Sequence, residues 1–361
     1  MPASLMDKLM LLPALGLVTI IGCYAAMTGA FREHRGIPYR GHIISAIIRT
    51  TFWTLTPGQI QMITAPFIDT YKSWSAKHKL APMIDNIPNT SIQGFWVGNK
   101  DSAKYVMLYL HGGGFVYPGM VNHIDMIQLF VEWSGGDLAV FCPCYTLAPD
   151  EVYPTQIGQA VESLRYVLSL PSRLPETTLI GGDSAGGNLV FAVLSHISGH
   201  PHPQTSIVKP LESARPLKGA ILIAPWVSSD GTKFESFHQF RNVDVVTTAS
   251  ANGFIEIYKG ERKNIVDDEF TVPELAPGNW WSELKTSNLI ITVGEFESLK
   301  DPVIAMVERL KESAKGVDVK LVIGKNEIHV APLFPKPVRY QDQMGDDCQE
   351  AALRNWIKDK L

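Results

Sequence analysis

Short apolar runs alternate with amphipathic stretches through most of this chain, and the alternation begins near residue 91. Ser91–Val97, Tyr105–Leu110, Asp137–Tyr145, Thr177–Ile180, Ala220–Ile223, Leu289–Val293 and Val319–Ile323 read as strands. Each is compact and apolar, as a strand buried on both faces would be. Ile157–Leu168, Asn188–Ile197 and Pro302–Lys315 carry apolar residues at helical spacing, and Asp347–Leu361 closes the chain as an amphipathic helix. Strands alternating with helices predict the α/β class, a mostly parallel central sheet flanked by helices on both faces. Two regions break the rhythm. Arg32 to about Thr90 reads as helical and mixed, cut by Pro57, Pro66, Pro82 and Pro88. Residues 228–282 carry aromatics without strand alternation and predict a helical insertion over the sheet. The two regions together would form a cap.

Leu9 to Phe31 contains no charged residue and is long enough to cross a bilayer as a helix. Pro13, Gly16, Gly22 and Gly29 are tolerated in such a helix. We read residues 1–31 as an N-terminal membrane anchor, single-pass and in the endoplasmic reticulum, with the main domain over 32–361. A cleaved signal peptide is one rival, with Ala25-Ala26 or Gly29-Ala30 as the small-residue site. An apolar helix lying on the main domain is the other. Arg32, Arg35 and Arg40 follow the segment while Lys8 precedes it, which favours a cytosolic domain. The sequon Asn89-Thr90-Ser91 would matter only on the lumenal side. Sidedness therefore stays open.

Hydrophobic residues make up 45% of the chain and charged residues 19%, so it can bury a large core and disorder is excluded. The net charge is −4 and the basic residues are scattered singly, which argues against a nucleic-acid partner. Four cysteines are too few for a disulfide scaffold, and Cys142 and Cys144 read as buried thiols on one strand face. His196, His200 and His202 lie among Gly, Pro and Ser and read as a solvated loop, not a metal site. No metal or cofactor is expected.

Three features carry chemistry. Gly182-Asp183-Ser184-Ala185-Gly186 matches G-x-S-x-G between an apolar strand and a helix. A serine at such a sharp turn is exposed and strained, and its neighbours must be small. His111-Gly112-Gly113-Gly114 follows another strand, where backbone N–H groups can approach an oxyanion. Gly113, Gly114 and Ala185 are the expected donors, and His111 reads as structural. A base and an orienting acid should follow the serine in the order serine, acid, histidine. His329, just after the last strand, is the expected base. Glu297, after the penultimate strand, is the chosen acid, with Glu295 and Asp301 as competitors. Asp301 could instead cap the helix that Pro302 opens.

In order along the chain, His111-Gly-Gly-Gly-Phe, Tyr145-Thr-Leu-Ala-Pro-Asp with Tyr153-Pro154, Gly182-Asp-Ser-Ala-Gly-Gly-Asn, Leu222-Ile-Ala-Pro-Trp226 and Gly294-Glu-Phe-Glu-x-x-x-Asp301 resemble the hormone-sensitive-lipase-like branch of the α/β-hydrolases. The resemblance spans roughly residues 90–335. With the apolar N-terminus, the chain looks like the fungal membrane-anchored members, including steryl acetyl hydrolases. The resemblance implies an α/β-hydrolase fold and a cofactor-free carboxylic-ester hydrolase. It also implies a cap from the N-terminal helices plus the insertion, and the triad Ser184, Glu297, His329. Thr146 stands where many relatives have arginine, the acid is Glu where Asp is commoner, and Val330-Ala331 follow the histidine where an aromatic is frequent.

The expected function is cleavage of carboxylic esters of lipophilic small molecules through an acyl-enzyme on Ser184. Two alternatives stand beside it. One is acyl transfer, product release or cyclisation in secondary metabolism with the same triad. The other is a non-catalytic ligand-binding protein on the same fold. The expected partners are an apolar ester and a membrane reached through the N-terminal helix, and oligomeric state is not legible.

Overall fold

The structure is a computed structural model that describes residues 3–29, 31, 37–260, 267–335 and 347–361. Four helices come first: α1 (Leu5–Gly29), α2 (Tyr39–Thr54), α3 (Pro57–Ile63) and α4 (Phe67–Lys77). Helix α1 is long and apolar enough to cross a membrane by length and composition. It does not project away from the rest. The Tyr39 hydroxyl donates to the Ala26 carbonyl at 2.6 Å, and Gly22 faces Ile47 closely. At its other end, Asp7 accepts from the Thr56 hydroxyl at 2.5 Å, and Gln59 donates to the Asp7 carbonyl at 3.1 Å. Helices α1 and α2 thus run antiparallel as a hairpin. Most of α1 still faces outward, with Leu5, Leu12, Ile20 and Met27 exposed. Arg32 and Arg35 lie outside the described residues.

The strands are β1 (Ile84–Asn86), β2 (Gln93–Val97), β3 (Tyr105–Leu110), β4 (Leu138–Pro143), β5 (Thr178–Asp183), β6 (Gly219–Ile223), β7 (Asn288–Gly294) and β8 (Asp318–Gly324). They form one sheet in the order β1-β2-β4-β3-β5-β6-β7-β8. β2 pairs antiparallel with β1 and β4, and every pairing from β4 to β8 is parallel. The expected strands all lie in this sheet, within a few residues of their predicted ends. β1 was not expected, since it falls in the stretch read as helical and mixed. It is three residues long, too short for a period to register, and it is held by its pairing with β2.

β3 illustrates why the inner strands are continuous apolar runs. All six of its residues are buried. Val106, Leu108 and Leu110 enter a core on one face, and Met107 and Tyr109 a core on the other. The second face is covered by α5 (Val121–Trp133) through Ile127 and Phe130. The first face takes α6 (Thr155–Ser169) through Ile157 and Leu164, and α7 (Ala185–Ile197), which is buried along its whole length. Between β6 and β7 the chain leaves the sheet. Among its described residues this insertion contains α8 (Ser236–Gln239), α9 (Thr248–Lys259) and a short 3-10 turn at Pro273–Leu275, with irregular chain elsewhere, so these are less helical than the sequence reading predicts. After it, α10 (Lys300–Ser313) packs Val303 and Met306 on the first face, and α11 (Gln349–Lys360) packs Leu353 and Trp356 on the second. The N-terminal helices and the insertion meet where Arg49 of α2 donates to the Asp244 carbonyl at 2.6 Å.

Candidate active site

The site lies where four parallel strands end, at the carboxyl edge where open α/β sheets place their ligands. Ser184 follows β5 with φ 50° and ψ −118°, a backbone state few side-chain-bearing residues adopt. Its neighbours must be small for a measurable reason. A Cβ on Gly182 would lie 2.6 Å from the Gly186 carbonyl carbon, and one on Gly186 would overlap the Leu110 carbonyl. The turn is fastened to the end of β6. Ser184 N–H donates to the Ile223 carbonyl at 2.9 Å, and Trp226 N–H donates to the Ser184 carbonyl at 2.9 Å.

His329 follows β8, and its Nε2 lies 2.9 Å from Ser184 Oγ. Its Nδ1 lies 2.7 Å from Glu297 Oε1. The other oxygen of Glu297 accepts the Gly294 N–H at 2.7 Å, so the carboxylate is held at both ends. A carboxylate can only accept, so Nδ1 carries the proton and Nε2 is left to accept from the serine hydroxyl. Both Glu297 and His329 are buried. Burial alone would push the imidazole down, but the charge and hydrogen bond of Glu297 outweigh it and raise its pKa above 6.5. Glu295 instead accepts the Asn326 N–H at 2.9 Å, and Asp301 accepts the Ser236 N–H at 2.8 Å. Of the three acids weighed from the sequence, the structure brings Glu297 to His329.

Gly113 and Gly114 follow β3 with φ of 112° and 60°, and Ala185 is the first residue of α7. Among the described residues, none of their three N–H groups donates a hydrogen bond. Free donors beside a helix N-terminus favour negative charge. Asp183, which sequence reasoning passed over, positions this loop. Its Oδ1 accepts the Gly112 N–H and the Tyr109 hydroxyl, both at 3.0 Å, and its Oδ2 lies 3.4 Å from His123 Nε2. His123 Nδ1 accepts the Met120 N–H, so its proton sits on the Nε2 that faces Asp183. His111 is buried with its pKa pushed down to about 4 by desolvation, and its ring stacks on Tyr145 at 4.3 Å. Its Nδ1 lies 2.7 Å from the Gly112 carbonyl oxygen.

Ser184 and His329 open onto a cavity of about 240 Å³ with an almost wholly apolar lining. Ile48, Thr51 and Phe52 come from α2, and Val245, Val246, Ala251 and Phe254 from the insertion, so both expected cap segments wall it. Phe52 lies 5.2 Å from Tyr117 and 5.4 Å from Phe254, ring centre to ring centre.

The histidine cluster differs from its sequence reading. His196 and His202 are buried, not solvated. His196 accepts the His202 N–H at 3.0 Å, His202 meets the Tyr153 hydroxyl at 2.8 Å, and His200 stacks on Trp280 at 3.8 Å. The polar composition of the segment hid this, because the insertion folds back over it. Among the described residues, no group of three or more His, Cys, Asp or Glu side chains is arranged to hold a metal. All four cysteines are free, with Cys142 buried and Cys144 half-buried.

Residues 107–333 match a family model described as alpha/beta hydrolase fold. A protein of Acanthamoeba polyphaga mimivirus named as an alpha/beta hydrolase is 28% identical over 251 residues, covering 66% of this chain and 65% of that protein. The chain thus spans just under two thirds of that relative's length. Esterase LipU of Mycobacterium tuberculosis is 26% identical over 278 residues, covering 74% of this chain and 86% of that protein. Among solved structures, an esterase from the bacterial hormone-sensitive lipase family superposes with a TM-score of 0.61 at 21% identity, covering 90% of this chain and 98% of that one.

Proposed function

Because the chain belongs to the alpha/beta hydrolase family matched over residues 107–333, we propose that it is a carboxylic ester hydrolase acting on lipophilic small molecules with Ser184 as nucleophile. One observation carries the reading: the unbroken relay from Glu297 to His329 to Ser184, at 2.7 and 2.9 Å. His329 takes the Ser184 proton as Oγ adds to the ester carbonyl. The oxyanion accepts hydrogen bonds from Gly113, Gly114 and Ala185, each contributing about 3 kcal/mol in comparable sites. His329 then protonates the departing alkoxide, leaving an acyl-serine. Water deprotonated by His329 adds to that ester, and collapse returns the acid product and free serine.

The apolar cavity supports an apolar substrate. The reading extends to a membrane-anchored esterase of the steryl acetyl hydrolase kind, in the endoplasmic reticulum, with α1 in the bilayer. What supports the membrane part is the outward apolar surface of α1, together with exposed Trp53 of α2 and Met62 and Ile63 of α3. Domain boundaries follow from it, with residues 1–31 as anchor and 32–361 as catalytic domain.

The test is a chain-length series of p-nitrophenyl esters plus an acetylated sterol, with wild type and Ser184→Ala. Ser184→Ala should fold and lose at least about a thousandfold in kcat. Retained turnover in that variant ends the assignment. Product analysis with an added acceptor alcohol distinguishes hydrolysis from biosynthetic acyl transfer. Flotation with vesicles of the full chain, and of one lacking residues 1–31, tests the anchor.

A further inference from the structure

The insertion carries a buried carboxylate that the two-step reaction does not use. Asp244 lies between α8 and α9 and is fully buried. Its Oδ1 accepts the N–H of His329 at 3.0 Å and of Val245 at 2.8 Å. Its Oδ2 accepts the N–H of Ser298 at 2.7 Å. Ser298 directly follows Glu297, so one carboxylate grips the backbone of the base and the backbone next to the acid. The same junction is closed again by the Ser298 hydroxyl on the Val246 carbonyl at 2.8 Å, and by the Ser236 hydroxyl on the Ser298 carbonyl at 2.7 Å.

We propose that Asp244 is a positioning residue, a clamp that joins the Glu297 loop to the His329 loop and so holds the imidazole at Ser184. The inference rests on the hydrolase reading above. The loops follow different strands, β7 and β8, and lie beyond the ladder that fixes those strands. A neutral amide could not replace the carboxylate fully, because its NH₂ would face one of the backbone N–H groups. The clamp is costly. Burial pushes the Asp244 carboxyl up to about 6, His329 opposes the shift and Glu297 adds to it. The Arg49 guanidinium binds the Asp244 carbonyl and links the clamp to cap helix α2.

The full chain is tested as Asp244→Ala and Asp244→Asn on p-nitrophenyl butyrate, with Ser184→Ala alongside. Misplacing a catalytic group by about 1 Å lowers kcat by up to about a hundredfold. That loss is expected for Asp244→Ala with KM unchanged within about threefold, and a smaller loss for Asp244→Asn. The acid limb of the kcat profile should also move to lower pH in both, since a negative charge beside His329 is gone. Should Asp244→Ala melt non-cooperatively, the isosteric Asp244→Asn decides. A cooperatively melting variant with wild-type kcat and an unmoved limb overturns the clamp, as does a loss confined to KM. An active Ser184→Ala would sink the hydrolase reading itself. An inactive Ser184→Ala beside a wild-type-like Asp244→Asn sinks the clamp alone.

Discussion

The Asp183 carboxylate, one residue before the nucleophile, accepts the backbone N–H of Gly112, one residue before the paired glycines of the other loop, at 3.0 Å. The two halves of the site are therefore joined by a buried charged hydrogen bond and not only by neighbouring strands. Its pKa lies below the usual carboxylate value, since burial, which would raise it, is outweighed by His123, Tyr109 and His111.

Asp183→Ala should loosen the glycine loop. In a site of this kind, drifted oxyanion donors cost about one to two orders of magnitude in kcat. KM should change little, because the apolar cavity that binds substrate is built mostly from other residues. Steady-state kinetics with a thermal melt checks this. Unchanged kcat in the folded variant would assign Asp183 to packing only.

Activity should rise with pH through the His329 pKa. The imidazole must be neutral at Nε2 to take the serine proton, and Glu297 holds its protonated form favoured beyond 6.5. The acid limb of kcat/KM therefore lies above pH 6.5 and reports the free enzyme. Glu297→Gln removes the charge that raises it. Its limb should move to lower pH while the plateau rate falls by about a hundredfold or more, because the orienting acceptor is weakened. A profile flat from pH 5 to 8 would mean that another group is the base.

Much of this arrangement could be read from the chain. A serine between Gly182 and Gly186 is a local sterically constrained pattern, and the glycine run after β3 is another. Chain order alone pointed to His329. The acid was harder, because Glu295, Glu297 and Asp301 crowd one turn, and only their hydrogen bonds separate them. Asp244 left no trace in the sequence. It sits in an irregular insertion, and its role depends on contacts 54 and 85 residues away. The buried His196 and His202 were misread for the same reason, since polar composition says nothing about what folds over it.

Phe254 should limit substrate size. Its ring lies so close to Gly114 that a Cβ there would meet it at 2.7 Å, and it packs edge-on against Phe52. Removing such a ring from an apolar cavity opens room for several methylenes, each worth about 0.8 kcal/mol of burial. Phe254→Ala should shift the preferred acyl or alcohol group toward longer or bulkier esters by about tenfold in relative kcat/KM. A competition assay over the ester series reads this directly, and an unaltered preference would put the substrate body elsewhere in the cavity.

Acid should weaken the protein through its buried histidines, and His202 is the one whose contribution can be isolated. Tyr153 gives its hydroxyl proton to Asp268, so His202 Nε2 must donate to the tyrosine oxygen, while its Nδ1 accepts the Gln204 N–H at 3.1 Å. A second proton would have to sit on Nδ1, against that donor. Burial first, and His196 in part, push its pKa from 6.5 down to about 4, although Asp268 pulls the other way. The unfolded chain therefore takes up the proton first as pH falls. Stability is lost progressively from pH 6.5 to about 4, and the folded state is relatively unaffected above 6.5. His202→Gln keeps one donor and one acceptor but cannot titrate. Unfolding free energies from urea titrations at pH 7.5 and 4.5 should lie further apart in wild type than in this variant, by an amount on the order of 2 kcal/mol. Equal pH sensitivity in the two proteins would mean that the imidazole is already protonated in the fold, or that acid strips stability through other groups.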